Sequence, residues 1–211
     1  MATANLITYE ALLDADRQWA LREGSMHFEG KNAVHKTLYG IARRLDELRV
    51  DYAIAGGMAL FLHGFRRFTE DVDVLVTPDG LKLLHHELEG RGYVRPFEAS
   101  KNLRDADTKV RIDFLVAGQY PGDGLPGPIE FPIPADASEI IDGLKVLRVE
   151  RLIELKLASG QAPHRGGDLN DVQRLIQAIK LPLDFAGRLD PSVRDAYRAK
   201  WNDAQVASQE Q

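Results

Sequence analysis

The chain predicts a mixed α/β fold of α+β character, in which a small mixed sheet is flanked by helices and followed by a part made of helices alone. Three observations lead there. "TEDVDVLVT" alternates in the manner of a strand and "KVRIDFLVAG" is a strongly apolar run of strand length. Stretches with apolar residues at helical spacing lie before and between them. From residue 149 onward, two helical stretches follow one another with no strand between them. At 211 residues, 44% apolar and 28% charged, the chain can bury a real core as one ordinary domain.

Taken in order, "LITYEALLDADRQWALREG" predicts a helix ending at Gly24. Residues 32–50 place Val34, Leu38, Ile41, Leu45 and Leu48 on one stripe of an amphipathic helix. "DYAIAGG" is a short strand ending in a glycine turn, and "MALFLHGF" a short helix. In "TEDVDVLVT" the residues Val72, Val74 and Val76 share one face, with Asp71 and Asp73 on the other. "DGLKLLHHELEGRGY" is a helix capped by Gly90 to Gly92. "KVRIDFLVAG" is a strand, and "QYPGDGLPGPIEFPIP" is a loop with room for one edge strand. "SEIIDGLKVLRV" predicts a hairpin around Asp142 and Gly143. "VERLIELKLASG" and "GDLNDVQRLIQAIK" are helices joined by "QAPHRGG", and the last 30 residues are a helix with a frayed tail.

Composition narrows the chemistry. No cysteine is present, which excludes disulfides, thiolate metal sites and cysteine nucleophiles. The six histidines, His27, His35, His63, His85, His86 and His164, show no HExxH spacing, so carboxylates are the natural metal ligands. A net charge of −5 argues against nonspecific coating of nucleic acid. An RNA would need a confined basic patch, for which Arg66, Arg67, Lys101, Arg104, Lys109 and Arg111 are the candidates. The first residues lack a cationic region followed by an apolar stretch, and no run of 18 apolar residues occurs; a cytoplasmic protein without membrane partners is expected.

Asp71 and Asp73, two apart on a strand, point the same way and repel each other. An acidic solvent face would explain them as well as a site does. Asp113 lies within "VRIDFLV", where apolar neighbours imply burial on at least one face, and an unpaired buried ion costs several kcal/mol. It needs a cation: either Arg111, two residues away, or a metal. With the two strands as neighbours in one sheet, three carboxylates converge, a donor set suited to Mg2+, or Mn2+ in its place. Gly56 and Gly57 stand between a strand and a helix, where backbone can approach a phosphate closely or simply turn tightly.

The order Gly56-Gly57, thirteen residues, Asp71-Val72-Asp73, then Asp113 on a later strand resembles the signature of the nucleotidyltransferase superfamily that includes DNA polymerase β. Thr69, two residues before Asp71, resembles the form found in its AbiEii-like branch, whose members include toxins of bacterial toxin–antitoxin pairs. "LIELKLASGQAPHRGGDLNDVQRL" is similar to that branch's later pattern, a lysine on one helix and acids opening the next, with Gly167 and Val172 where arginine and leucine are common. The resemblance spans about residues 50–180. It implies a nucleotidyltransferase fold. The order of elements along the chain divides it into an N-terminal helical extension over 1–30, a core over 31–148 and a C-terminal helical region packed on the core over 149–211.

The resemblance further implies a Mg2+-dependent transfer of a nucleoside monophosphate from a nucleoside triphosphate to a hydroxyl of a tRNA, a protein or a small molecule. A cognate antitoxin joins the expected partners. Asp71, Asp73 and Asp113 would hold metal, Asp113 helping to deprotonate the attacking hydroxyl, and Gly56, Gly57 and Thr69 would hold the triphosphate. Lys156 would neutralise phosphate charge, or be a solvated lysine. Asp168 or Asp171 would orient Lys156 or contact the base; for Asp168 a helix N-cap is the alternative. Arg66 and Arg67 would grip triphosphate or acceptor, or be ordinary surface arginines. A non-catalytic nucleotide-binding or interaction module on the same fold is the rival reading, against which three mutually repelling acids speak.

Overall fold

The computed structural model describes residues 7–209. Its centre is a seven-stranded mixed sheet in the order β3-β4-β5-β2-β1-β7-β6. The strands are β1 (Tyr52–Ile54), β2 (Asp71–Val76), β3 (Tyr93–Val94), β4 (Leu103–Asp105), β5 (Arg111–Val116), β6 (Ser138–Ile141) and β7 (Leu144–Leu147). β2 runs antiparallel to β1 and parallel to β5, whereas β1 and β7 are parallel. The mixed α/β architecture expected from the sequence is present.

The N-terminal region holds two helices where one was expected. α1 (Tyr9–Ala15) and α2 (Arg17–Phe28) break at Asp16, whose extended backbone lets its carboxylate accept from Gln18 N and Trp19 N at 2.9 and 3.0 Å, capping α2. α2 continues through Gly24, an interior glycine costing about 1 kcal/mol relative to alanine, too little to end the helix. The predicted start of this helix at Leu6 lies outside the described residues. α3 (Ala33–Glu47) is capped by Asn32, which accepts from His35 N. Its stripe Val34, Leu38, Ile41 and Leu45 is fully buried and shares a core with Val72, Val74 and Val76 of the adjoining β2. Each such side chain contributes about 1.5–3 kcal/mol.

α4 (Gly56–Leu62) begins at the glycines themselves, so the expected turn is the first turn of the helix. α5 (Pro78–Leu88) is capped by Thr77 and ends at Glu89; Gly90 and Gly92, at φ +75° and +96°, turn the chain into β3. β3 and β4 were not foreseen, since strands of two and three residues carry no periodicity. The proline-rich loop contains no strand among the described residues; backbone bonds tie Gly118 and Gln119 to Phe131. It leads into the short α6 (Pro134–Ala137) and the β6–β7 hairpin, whose two-residue turn has φ +50° at Asp142 and +79° at Gly143, as expected of Asp-Gly. α7 (Val149–Ser159), α8 (Gly166–Ile179) and α9 (Arg194–Gln209) follow, with three 3-10 turns at Pro163–Arg165, Leu183–Arg188 and Pro191–Val193. A tail beyond α9 lies outside the described residues. No helix among them is long and apolar enough to cross a membrane.

Candidate functional site

The parallel pairing of β2 with β5 sets Asp73 directly opposite Asp113, and Asp71 opposite Arg111. Two-residue periodicity then turns all three carboxylates to one face, beside the start of α4. They line a cavity of about 680 Å3 together with Gly56, Gly57 and Thr69. The opposite lining comes from α7 and α8 and includes Lys156, Ser159, Arg165, Asp168 and Asp171, so residues a hundred positions apart meet across one space.

The two glycines are required by their neighbours. A Cβ on Gly56, which holds φ +55°, would lie 1.7 Å from Asp73 Oδ2, and one on Gly57 would lie 2.7 Å from Thr69 Oγ1. Backbone thus packs directly against the site's own side chains, which fill the room that the glycines leave. The Thr69 hydroxyl donates to Asp71 Oδ1 at 2.8 Å, and Ala55 N donates to Asp73 O at 2.9 Å, locking β2 to the entry of α4.

Arg111 is the cation among these acids. Its Nη2 donates to Asp71 Oδ2 at 3.0 Å and its Nε lies 3.1 Å from Asp113 Oδ1. The second contact is an ion pair without hydrogen-bond geometry, so Asp113 Oδ1 is buried with no hydrogen bond. One guanidinium does not balance three carboxylates. Burial, reinforced by the charges of Asp71 and Asp113, pushes the Asp73 carboxyl up to about 7. Burial also raises Asp113, against the opposing pull of Arg111.

Among the described residues no three carboxylate or imidazole groups stand arranged as a finished metal cage, Arg111 taking the central position. The donor set nevertheless fits a hard divalent cation, being all oxygen, unbalanced in charge, and including a buried oxygen that lacks a hydrogen bond.

On the far wall Lys156, buried, donates to Asp168 Oδ1 at 2.8 Å and to Asp171 Oδ2 at 2.7 Å. It is no solvated lysine, and both acids serve it. Asp168 sits in the first turn of α8, which starts at Gly166, and is not its N-cap. Its other oxygen accepts from Ser159 Oγ at 2.7 Å and Arg165 Nε at 2.9 Å. Burial pushes Asp168 up, but the charge and hydrogen bond of Lys156, with Ser159 and Arg165, outweigh it and hold the carboxyl below its ordinary value. Arg67 grips Asp171, its Nη2 donating at 3.1 Å and its Nε 3.0 Å away.

Of the neighbouring arginines it is Arg67 that lines the cavity, whereas Arg66 is exposed, its guanidinium carbon 5.6 Å from the Phe61 ring centroid. The expected basic patch is not assembled: Arg104 is buried against Glu10, Arg111 is paired within the acids, and Arg67 with Asp171. Ser159 and Arg165 escaped the sequence reading, although each lies three residues from a member of this network, at i,i+3 spacing.

This architecture is the nucleotidyltransferase fold. No protein-family profile matches the chain, and no curated protein sequence is significantly similar to it. Among solved structures, that of ANT(2'')-Ia in complex with adenylyl-2''-tobramycin superposes with a TM-score of 0.52 at 15% identity, covering 79% of this chain and 97% of that one. An antigenic nucleotidyltransferase-like protein from Paracoccidioides brasiliensis superposes at 0.46 with 20% identity, covering 78% and 91% of the two chains. At 15% identity the likeness to ANT(2'')-Ia is one of fold.

Proposed function

We propose that this protein is a Mg2+-dependent nucleotidyltransferase that moves a nucleoside monophosphate from a nucleoside triphosphate to an acceptor hydroxyl. One observation carries the reading: Asp73 and Asp113 face each other across neighbouring strands, with Asp71 beside them and the Gly56–Gly57 backbone against them, in one cavity. Asp71, Asp73 and Asp113 would hold Mg2+, or Mn2+, which when bound supplies positive charge to the phosphate oxygens.

The acceptor oxygen forms a bond to the α-phosphorus, the bridging bond to the β-phosphate breaks, and pyrophosphate leaves. Asp113 takes the hydroxyl proton. Lys156 spends two of its three N–H donors on Asp168 and Asp171, keeping one for phosphate. Thr69 steadies Asp71, and Arg67 lines the cavity where triphosphate or acceptor would enter. The acceptor is a tRNA end, a protein hydroxyl or a small polyol of the kind that ANT(2'')-Ia carries as adenylyl-2''-tobramycin. A toxin role in the cytoplasm, opposed by a cognate antitoxin, fits the same chemistry, and toxicity on expression rescued by Asp73→Ala tests it.

The decisive experiment incubates the protein with each α-labelled triphosphate, Mg2+, and total RNA, total protein or a panel of small polyols. Label should pass to one acceptor class, and Asp71→Asn should abolish it. Equal labelling by the variant overturns the proposal.

A further inference from the structure

The guanidinium of Arg111 lies where the charge of three acids converges. It meets Asp71 Oδ2 at 3.0 Å and Asp113 Oδ1 at 3.1 Å, which are oxygens that the proposed function needs for a divalent ion. An arginine fork is planar and matches carboxylates two at a time. Here it fails to satisfy both, since Asp113 Oδ1 gains charge but no hydrogen bond and Asp73 receives none of its donors. The side chain is 42% exposed at the cavity, so it can rotate out while β5 stays paired along its whole length.

We infer that Arg111 is a resident counter-cation that a divalent ion must displace, and therefore a residue that sets metal affinity at this site. This rests on the metal-binding reading above. Without metal, Arg111 offsets part of the repulsion among Asp71, Asp73 and Asp113, with the charge of Lys156 also acting on Asp73 and that of Lys101 on Asp113. With metal, the same oxygens cannot serve both partners. The state able to bind metal is then only the fraction of molecules in which the guanidinium has left, and apparent affinity falls by that fraction. Removing the fork removes the penalty.

The test measures Mn2+ dissociation constants of the full chain by the electron-spin signal of free Mn2+. It compares wild type, Arg111→Lys, Arg111→Gln and Asp73→Asn, with melting temperatures recorded with and without Mn2+. Arg111→Lys is the discriminating variant, because it keeps the charge and loses the two-pronged grip. Its Mn2+ affinity is expected to rise several-fold, and that of Arg111→Gln about tenfold or more. Both should melt below wild type without metal and recover more than wild type when Mn2+ is added, whereas damage of a merely structural kind would lower both melting points alike.

An Arg111→Lys affinity equal to that of wild type, alongside loss of binding in Asp73→Asn, overturns the inference and leaves the metal site standing. Mn2+ binding absent from wild type and from both Arg111 variants overturns the metal reading itself. If Arg111→Gln fails to fold, Arg111→Lys alone decides.

Discussion

Gly56 and Asp73 occupy what is nearly one space, the Cβ position of the glycine lying 1.7 Å from Oδ2 of the aspartate. The glycine holds φ +55°, and the carboxylate over it is the one that burial and two neighbouring acids push up to about 7. Backbone conformation and site electrostatics are therefore coupled at a single contact, which two different substitutions can probe from its two sides.

Gly56→Ala adds a methyl group in a left-handed conformation that costs about 1–2 kcal/mol on its own, and forces the Asp73 carboxylate to move. Stability should fall by about 2–4 kcal/mol in urea titration, and nucleotidyl transfer should be lost even where the variant is fully folded. An active Gly56→Ala would show that Asp73 need not stay where it is.

Asp73→Asn approaches the contact from the other side. A carboxyl raised from 3.8 to about 7 binds its proton more tightly in the folded chain. The stability it contributes is fully present below about 3.8 and is lost as pH rises through about 7. Above pH 7 and without metal, Asp73→Asn should therefore be the more stable protein, by on the order of 2 kcal/mol, although inactive. The gain should vanish on lowering the pH toward 4, as melting curves at several pH values would reveal.

Much of this site was legible in the sequence, because its central acids lie on elements whose periodicity is strong. Alternation in "DVDVLV" turns Asp71 and Asp73 to one face, and the apolar run "VRIDFLV" marks Asp113 as an acid in need of a cation; the register of the two parallel strands then brings the three together. What was not legible depends on long-range pairing. Arg67 and Asp171 are 104 positions apart, and nothing local tells Arg67 from Arg66 as the one turned inward. Nor does spacing reveal that Lys156 binds both Asp168 and Asp171, since each acid alone has an ordinary helical explanation. β3 and β4 were missed because they exist through long-range pairing, β4 with β5 and β3 with β4, and the division of the N-terminal helix because Asp16 caps α2 in preference to continuing α1.

Lys156 holds together the far wall. Lys156→Met keeps the length of the side chain and leaves Asp168 and Asp171 to Arg165 and Arg67, which are themselves partly exposed. A cost of about 3 kcal/mol is expected, since two buried carboxylates lose their shared cation. Asp168 is held below its ordinary value, so its contribution to stability is present above about 3.8 and lost as pH falls through its folded-state value. The deficit of Lys156→Met should accordingly shrink in acid. A deficit that stayed constant between pH 7 and pH 3 would mean that Lys156 acts by packing and not by charge.

The N-terminal helices acquire a role through His27 of α2. Its Nε2 donates to the Arg67 backbone carbonyl at 2.9 Å, holding the segment whose side chain grips Asp171. Its ring packs edge-on against His35, Phe61 and Phe68. Burial lowers both imidazoles, and His35, further repelled by His27, falls to about 4. A depressed histidine contributes stability that is present above its unfolded value of 6.5 and lost as pH falls toward about 4. This slope runs opposite to that of Asp73 over nearly the same window, so wild type should change little between pH 7 and pH 4.5 while its variants diverge: Asp73→Asn should lose stability on acidification, and His35→Leu should gain it. His27→Leu leaves the Arg67 carbonyl without its donor, at a cost of about 1–3 kcal/mol, and amide exchange should quicken in residues 63–70. Unchanged exchange there would detach the N-terminal helices from the site.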